Sequence, residues 1–357
     1  MKNFNLIIVA ALSILFCSCS NEDPTLQNDT PVPEGDFTDG FFVLNEGGFT
    51  YNNASVSFVN DQGEVFNNIF SSTNNRNLGD VAQSMSFYDE LALVVLNYSN
   101  TIEVVNRYTF ESVASIEDQI LNPRYASIVG DKAYITNWGD PTDIEDDYVA
   151  ILDLNTFTIQ EKIEVVEGPE KIVEADGKLY VAHKGGWGYG HEISVIDLST
   201  NTVQSKIEVS DVPDGMLHSE GYLYVLSSGK ASWTGEVTKG GMFKINTSNL
   251  QIEEEFDFPD GDHPKFLVEY DNSLHYILGR DIFRVEPSNF NLPNSPFIST
   301  ADQDISVLYG FNIHKDTVYV ADAKDYVSNG EVHLYNTSGE HLTKYGVRLI
   351  PNGFYFN

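Results

Sequence analysis

Hydrophobic residues recur along this chain in short runs with a period of two. "KLYVAH", "ISVIDL" and "VQSKIEV" within residues 178–209 are typical, with Ile193 and Val195 alternating against Ser194 and Ile196. That period, with abundant β-branched and aromatic residues, predicts short strands. No segment has the 3.6-residue period of an amphipathic helix, so no helix is expected.

The strands repeat as a unit: a proline-led strand, a turn, an "LYV" strand, a variable loop, a strand ending in Asp or Asn, and a fourth strand. "GPEKIVEADGKLYVAH" aligns with "NPRYASIVGDKAYITN", and "VPDGMLHSEGYLYVLS" follows. The residue closing the third strand is a ruler, at Asn60, Asn106, Asp153, Asp197, Asn246, Glu286 and Asn336, spaced 40 to 50 residues apart. Seven units of four strands predict an all-β, seven-bladed propeller over residues 40–357. The terminal "LIPNGFYFN" reads as a first strand with nothing after it, and "GFFVLNEG" as a second strand with none before it. Pairing them closes the ring and removes an open edge.

Ahead of the repeats, one Lys precedes an apolar run, Leu6 to Phe16, too short to span a bilayer and suited to a signal peptide over residues 1–18. Ser18 before Cys19 resembles a bacterial lipobox and marks Cys19 for lipidation. Residues 19–39, polar, acidic and proline-containing, read as a disordered tether. Acids directly after the cysteine also resemble a surface-export signal of Bacteroidetes lipoproteins, so an outer-membrane anchor facing the cell exterior is expected. The two cysteines, Cys17 and Cys19, leave the propeller without disulfide or thiol chemistry.

A net charge of −33, from 53 acids and 20 bases, repels nucleic acid. The bases are unevenly placed. Arg124, Lys171 and Lys265 follow blade prolines at the channel entrance, and Lys184, Lys230, Lys239, Arg280 and Lys324 fall in loops of the same face. Local pairing with Glu170, Asp214 and neighbouring acids is one reading of this placement; a polar or phosphate-bearing ligand over the channel is the other.

Second-to-third-strand loops on that face hold all three tryptophans, Trp138, Trp187 and Trp233, with Phe49, Tyr51, Tyr98, Tyr189 and Tyr326. Gly185, Gly186, Gly188 and Gly190 in "HKGGWGYGHE" would let backbone approach a ligand. The second strands end at one phase in Asn45, Asn97, Asn137, His183, Ser227 and Asp322, expected to ring the channel mouth or to satisfy strand ends. The acidic loop "DPTDIEDDY" (140–148) invites Ca²⁺, but its spacing is not that of an EF-hand. His183, His191, Glu192 and His218 could form a metal or acid–base set without matching a known motif. No cofactor, metal or catalytic residue is assigned.

"LNEGGF" (44–49), "LGDVAQSM" (78–85), "NYSNTIEVVNRYTF" (97–110), "NPRYA" (122–126) and "GPEKI" (168–172) resemble the YncE-like surface propeller lipoproteins of Bacteroidetes, and within them the BtuG-type proteins. The resemblance implies capture of cobalamin over the channel and delivery to a TonB-dependent outer-membrane transporter. The expected contacts are Asn45, Phe49, Tyr51, Asn97, Tyr98, Arg124, Asn137, Trp138, Lys171, His183, Trp187, Tyr189, Trp233, Lys265 and Asp322. Two alternatives stay open: capture of another ligand, such as a glycan or siderophore, and a metal-dependent propeller lyase or lactonase.

Overall fold

The computed structural model describes residues 37–357 except Trp187. The lipobox with Cys19, and Trp187, therefore lie outside the described residues. Seven four-stranded antiparallel sheets form the blades of a β-propeller. In most blades the central two strands are buried on both faces, as in Leu91–Leu96 and Leu179–Ala182, while outer strands such as Thr158–Glu164 are largely exposed. This is why apolar runs dominate the middle of each repeat and charge collects at its end.

The core is divided. Seven apolar clusters each fill one gap between adjacent blades, from Phe42 and Val56 against Ala82 and Val94, around to Val43 and Val59 against Ala321 and Val332. Sheet faces packed on sheet faces leave the axis to the innermost strands.

Ring closure is as expected. The last strand, Pro351–Phe356, pairs antiparallel with Gly40–Asn45, with Phe41 opposite Phe356 and Val43 opposite Phe354. The ruler residues have a shared cause. The side-chain oxygens of Asn60, Asn106, Asp153, Asp197, Asn246 and Asn336 accept backbone N–H groups two to four residues on, closing the turn into the fourth strand.

Two features depart from expectation. A short helix, Ile69–Asn74, buries Ile69 and Phe70; at six residues it is too brief to print a helical period on the sequence. Phe37, read as tether, is fully buried edge-on against Phe58 and Phe110, and its N–H donates to Tyr108 O at 2.9 Å. A single aromatic anchor is easily overlooked in polar surroundings. Among the described residues, no helix is long and apolar enough to cross a membrane.

Candidate functional site

The innermost strands begin at Ala82, Pro123, Pro169, Pro213, Lys265, Leu308 and Pro351. In each, the register against the second strand slips within the first residues. Six of the slips skip Gln83, Arg124, Glu170, Asp214, Tyr309 or Asn352; in the blade of Lys265 the skipped residue is Phe266, beside it. A bulge turns the extra residue out of the ladder. Gln83, Arg124, Glu170, Asp214, Lys265, Tyr309 and Asn352, one per blade, thus line a single axial cavity of about 350 Å³.

This ring is the channel mouth, and it corrects the expected one. Asn45, Asn137, His183, Ser227 and Asp322 are fully buried within their blades. Asn137, His183 and Ser227 stand opposite Pro123, Pro169 and Pro213, so the neighbouring bulges, not these residues, face the axis. Asn45 Nδ2 meets Val43 O and Ser57 Oγ, and Asn137 Nδ2 donates to Ile135 O at 2.8 Å. Ser194 Oγ lies 2.9 Å from His183 Nε2, and burial pushes the pKa of that imidazole down to about 4. Asn97, half-buried, donates to Pro123 O at 3.2 Å. Their shared phase has a structural origin.

Along one arc of the cavity Lys184 stands between the ring acids Glu170 and Asp214, so that charges alternate from Arg124 to Lys265. Arg124 grips Glu170 through both arms, Nε to Oε2 at 2.8 Å and Nη2 to Oε1 at 2.9 Å, with its guanidinium 4.0 Å from the centre of the half-buried Trp138 ring. Lys184 Nζ reaches Asp214 at 3.2 Å and Glu170 at 3.9 Å. The field of Asp214 holds the Lys184 ammonium charged. Burial works to raise Asp214, but Lys184 and Lys171 outweigh it and keep that carboxylate low. Lys171 lays its ammonium 3.7 Å from the Tyr125 ring centre, and burial lowers its pKa.

Across the cavity, burial raises the Glu46 carboxyl, which accepts from Asn352 Nδ2 at 3.1 Å and Tyr309 OH at 3.3 Å. Three cations, Arg124, Lys184 and Lys265, therefore face three acids, Glu46, Glu170 and Asp214, in the cavity of a protein whose net charge is −33. Lys265 is exposed and, among the described residues, makes no ion pair within 4 Å.

A second cavity of about 610 Å³ opens beside the first, between the loops of blades four and five. Trp233, 81% exposed, and Tyr189 line it, with Val212, His263, Lys230 and the backbone of Gly186, Gly188 and Gly229. Lys184, Asp214 and Lys265 line both cavities, so the cleft runs into the channel. The loop glycines answer to local packing first. Gly185 has φ +97°, and a Cβ there would stand 2.2 Å from Gly190 N; a Cβ on Gly168 would stand 1.9 Å from Gly186 N. Gly190 N donates to Lys184 O and Lys184 N to Gly168 O, which folds the loop back onto its own blade.

The other expected plates sit elsewhere. Phe49 and Tyr98 pack on each other, with ring centroids 4.4 Å apart, and Tyr51 stands exposed; none of the three lines either cavity. Tyr326 does line the channel, edge-on to Tyr309. Of the sequence candidates, the structure brings Arg124, Lys265, Tyr189 and Trp233 together around the joined cavities, with Lys171 beside Arg124's partner Glu170. Glu46, Tyr309, Asn352 and His263 were not anticipated. For Asn352 the signal is its place directly after a blade proline, the position Arg124 and Lys265 also occupy; Glu46, Tyr309 and His263 follow no proline.

The histidine set does not assemble: His183 is buried, whereas His191 is half-exposed beside Glu208 and Asp211. In the 140–148 loop the acids close turns. Asp140 and Asp143 accept N–H groups two residues on, Asp146 accepts from Asp140 N, and the buried Asp147 accepts from Gly168 N.

With the geometry in place, comparison with known proteins fixes the family. Residues 39–356 match the model of a domain of unknown function, DUF5074. The chain belongs to the DUF5074 family. No curated protein matches this DUF5074 chain. Among solved structures, it is similar to a quinonprotein alcohol dehydrogenase-like protein (BT1487) of Bacteroides thetaiotaomicron, at 14% identity and TM-score 0.68, covering 90% of this chain and 79% of that one. A functionally unknown protein of Desulfotomaculum acetoxidans follows at 11% and 0.62, covering 89% and 98%. BamB of Moraxella catarrhalis is similar at 15% and 0.53, covering 86% and 82%. At these identities the likeness is one of fold.

Proposed function

We propose that this DUF5074 protein is a ligand-capture propeller, lipidated at Cys19 and displayed on the outer membrane. Its ligand is a corrinoid such as cobalamin, passed on to a TonB-dependent transporter. The observation that carries the binding reading is the continuity of the apolar cleft with the charged ring through Lys184, Asp214 and Lys265. Aromatic walls, exposed backbone and a few convergent charges at a concave site are the ingredients of small-molecule recognition.

A corrinoid offers an apolar macrocycle fringed with amides, and one phosphate. Trp233 and Tyr189 can cover the ring, Asn352, Gln83 and loop backbone can meet amides, and Lys265 or Lys230 can meet the phosphate. The resemblance of the sequence motifs to BtuG-type proteins supports the choice of ligand; the site chemistry supports the class. Titration calorimetry of the chain lacking residues 1–19 with cyanocobalamin and hydroxocobalamin is the test. Saturable one-to-one binding is expected. No heat with either corrinoid, together with binding of a glycan or siderophore, would replace the ligand and keep the site.

A further inference from the structure

Blade seven holds a side-chain cluster that the proposed capture site does not use. Its second strand, Thr317–Asp322, pairs with Asn329–Asn336, with Asp322 opposite Glu331 and Val320 opposite His333. Glu331 and His333, two apart on one strand, share a face. The register sets Asp322 next to them. Among the described residues this is the one group of three metal-ligating side chains with ligand atoms all within 4.8 Å of one another.

Two members each keep one buried ligand atom without a hydrogen-bonding partner. Asp322 Oδ1 accepts the backbone N–H of Ser306, Val307 and Lys324 at 3.2, 2.9 and 2.9 Å, which fixes the carboxylate. Its Oδ2 is buried and makes no hydrogen bond. His333 is 2% exposed, and its Nε2 likewise makes none; it lies 3.6 Å from Glu331 Oε2. The other ring nitrogen, Nδ1, is 3.3 Å from His341 Nε2. If Nδ1 holds the proton, Nε2 presents a lone pair to two carboxylates, an arrangement that asks for a cation. Lys324 partly answers, with Nζ 2.7 Å from Glu331 Oε2 but 4.0 Å from Asp322 Oδ2. Lys344 holds Glu331 from outside, at 3.1 Å.

We infer that Asp322, Glu331 and His333 bind a first-row divalent transition-metal ion, with the Lys324 ammonium standing in when no ion is bound. A nitrogen among two carboxylates suits such an ion better than Ca²⁺, which takes six to eight oxygens. The 3.6 Å between Nε2 and Oε2 is close to the edge of a tetrahedron with bonds of about 2.1 Å, roughly 3.4 Å. His341 then fixes the His333 tautomer, as outer partners of metal-bound histidines do. The ion would tie the two roots of the loop between these strands, and Tyr326 of that loop lines the channel. Sequence reading assigned no metal because these ligands meet by strand register across a loop, not by a linear motif.

The test uses the purified protein without a histidine tag. Zinc binding is measured by dialysis and elemental analysis, and cobalt(II) by visible absorption, which distinguishes low-coordinate Co²⁺ from ions on the acidic surface. One zinc per chain is expected. His333→Gln and Glu331→Gln should weaken it roughly 100-fold, and His341→Gln by about 10–100-fold. Lys324→Met should tighten it, because it removes the competing ammonium. Melting curves and circular dichroism confirm that the variants fold. Zinc held equally by His333→Gln and Glu331→Gln, or less than stoichiometric zinc on both wild type and Lys324→Met, would overturn the assignment.

Discussion

The ion pair that fixes the channel mouth gives the sharpest stability prediction. Glu170→Gln keeps the shape of the side chain but removes its charge, and sets an amide N–H₂ against a guanidinium that needs acceptors. Arg124 is 8% exposed and Glu170 1%, and the pair is bidentate. Removing one partner of a buried pair costs about 3–5 kcal/mol, because a charge is left without compensation. Arg124 retains the field of Glu46 and the face of Trp138, which places the loss near the lower end, about 3 kcal/mol. For a domain of this size that lowers Tm by about 4–5 °C. Differential scanning calorimetry of Glu170→Gln and of the double variant Arg124→Met/Glu170→Leu measures both terms. The double variant, carrying no stranded charge, should recover most of the loss. A shift below about 1 °C in the single variant, or a double variant as unstable as the single, would refute the reasoning.

Asp147 gives a pH signature. Burial first, then the fields of Asp146, Glu167 and Asp143, push its pKa up from 3.8 to about 7. The folded state therefore holds a proton that the unfolded chain has released, and this contribution to stability falls as pH rises from about 4 to 7 and stays low above it. Asp147→Asn should stabilise the protein at pH 8 by about 1–3 kcal/mol, with the gain over wild type vanishing near pH 4 in urea titrations. His183 acts in the opposite sense, since its pKa near 4 removes stability as pH falls from about 6.5; the difference between variant and wild type isolates Asp147. Gly185→Ala should cost about 1–3 kcal/mol, because φ +97° strains any side chain and the Cβ meets Gly190 N. It should also weaken ligand binding, since the loop wall of the cleft must shift; chemical denaturation and calorimetry check the two effects.

Much of the fold was legible because a propeller repeats its instructions. Proline-led innermost strands recur in five blades and turn-closing Asn or Asp in six, with apolar central strands around the ring, so weak local signals add. The site was legible only in part. Arg124 and Lys265 were found because basic residues stand out in an acidic chain. Glu46, Tyr309 and Asn352 share their cavity but carry no unusual composition. The bulge that aims one residue per blade at the axis is a register slip, invisible to a period-two reading. The same reading placed Asn45 and Asp322 at the mouth, although backbone groups claim them inside their blades.

In the proposed capture site the ligand sits in the cleft of blades four and five where it meets the ring. The most direct measurement compares cobalamin affinity by calorimetry in Trp233→Ala, Lys265→Ala and Tyr51→Ala. Trp233 and Lys265 line the cleft, while Tyr51 is equally exposed but outside both cavities. Losses of about tenfold or more are expected for the first two and less than about twofold for Tyr51→Ala. Equal losses in all three, or a loss confined to Tyr51→Ala, would contradict that placement.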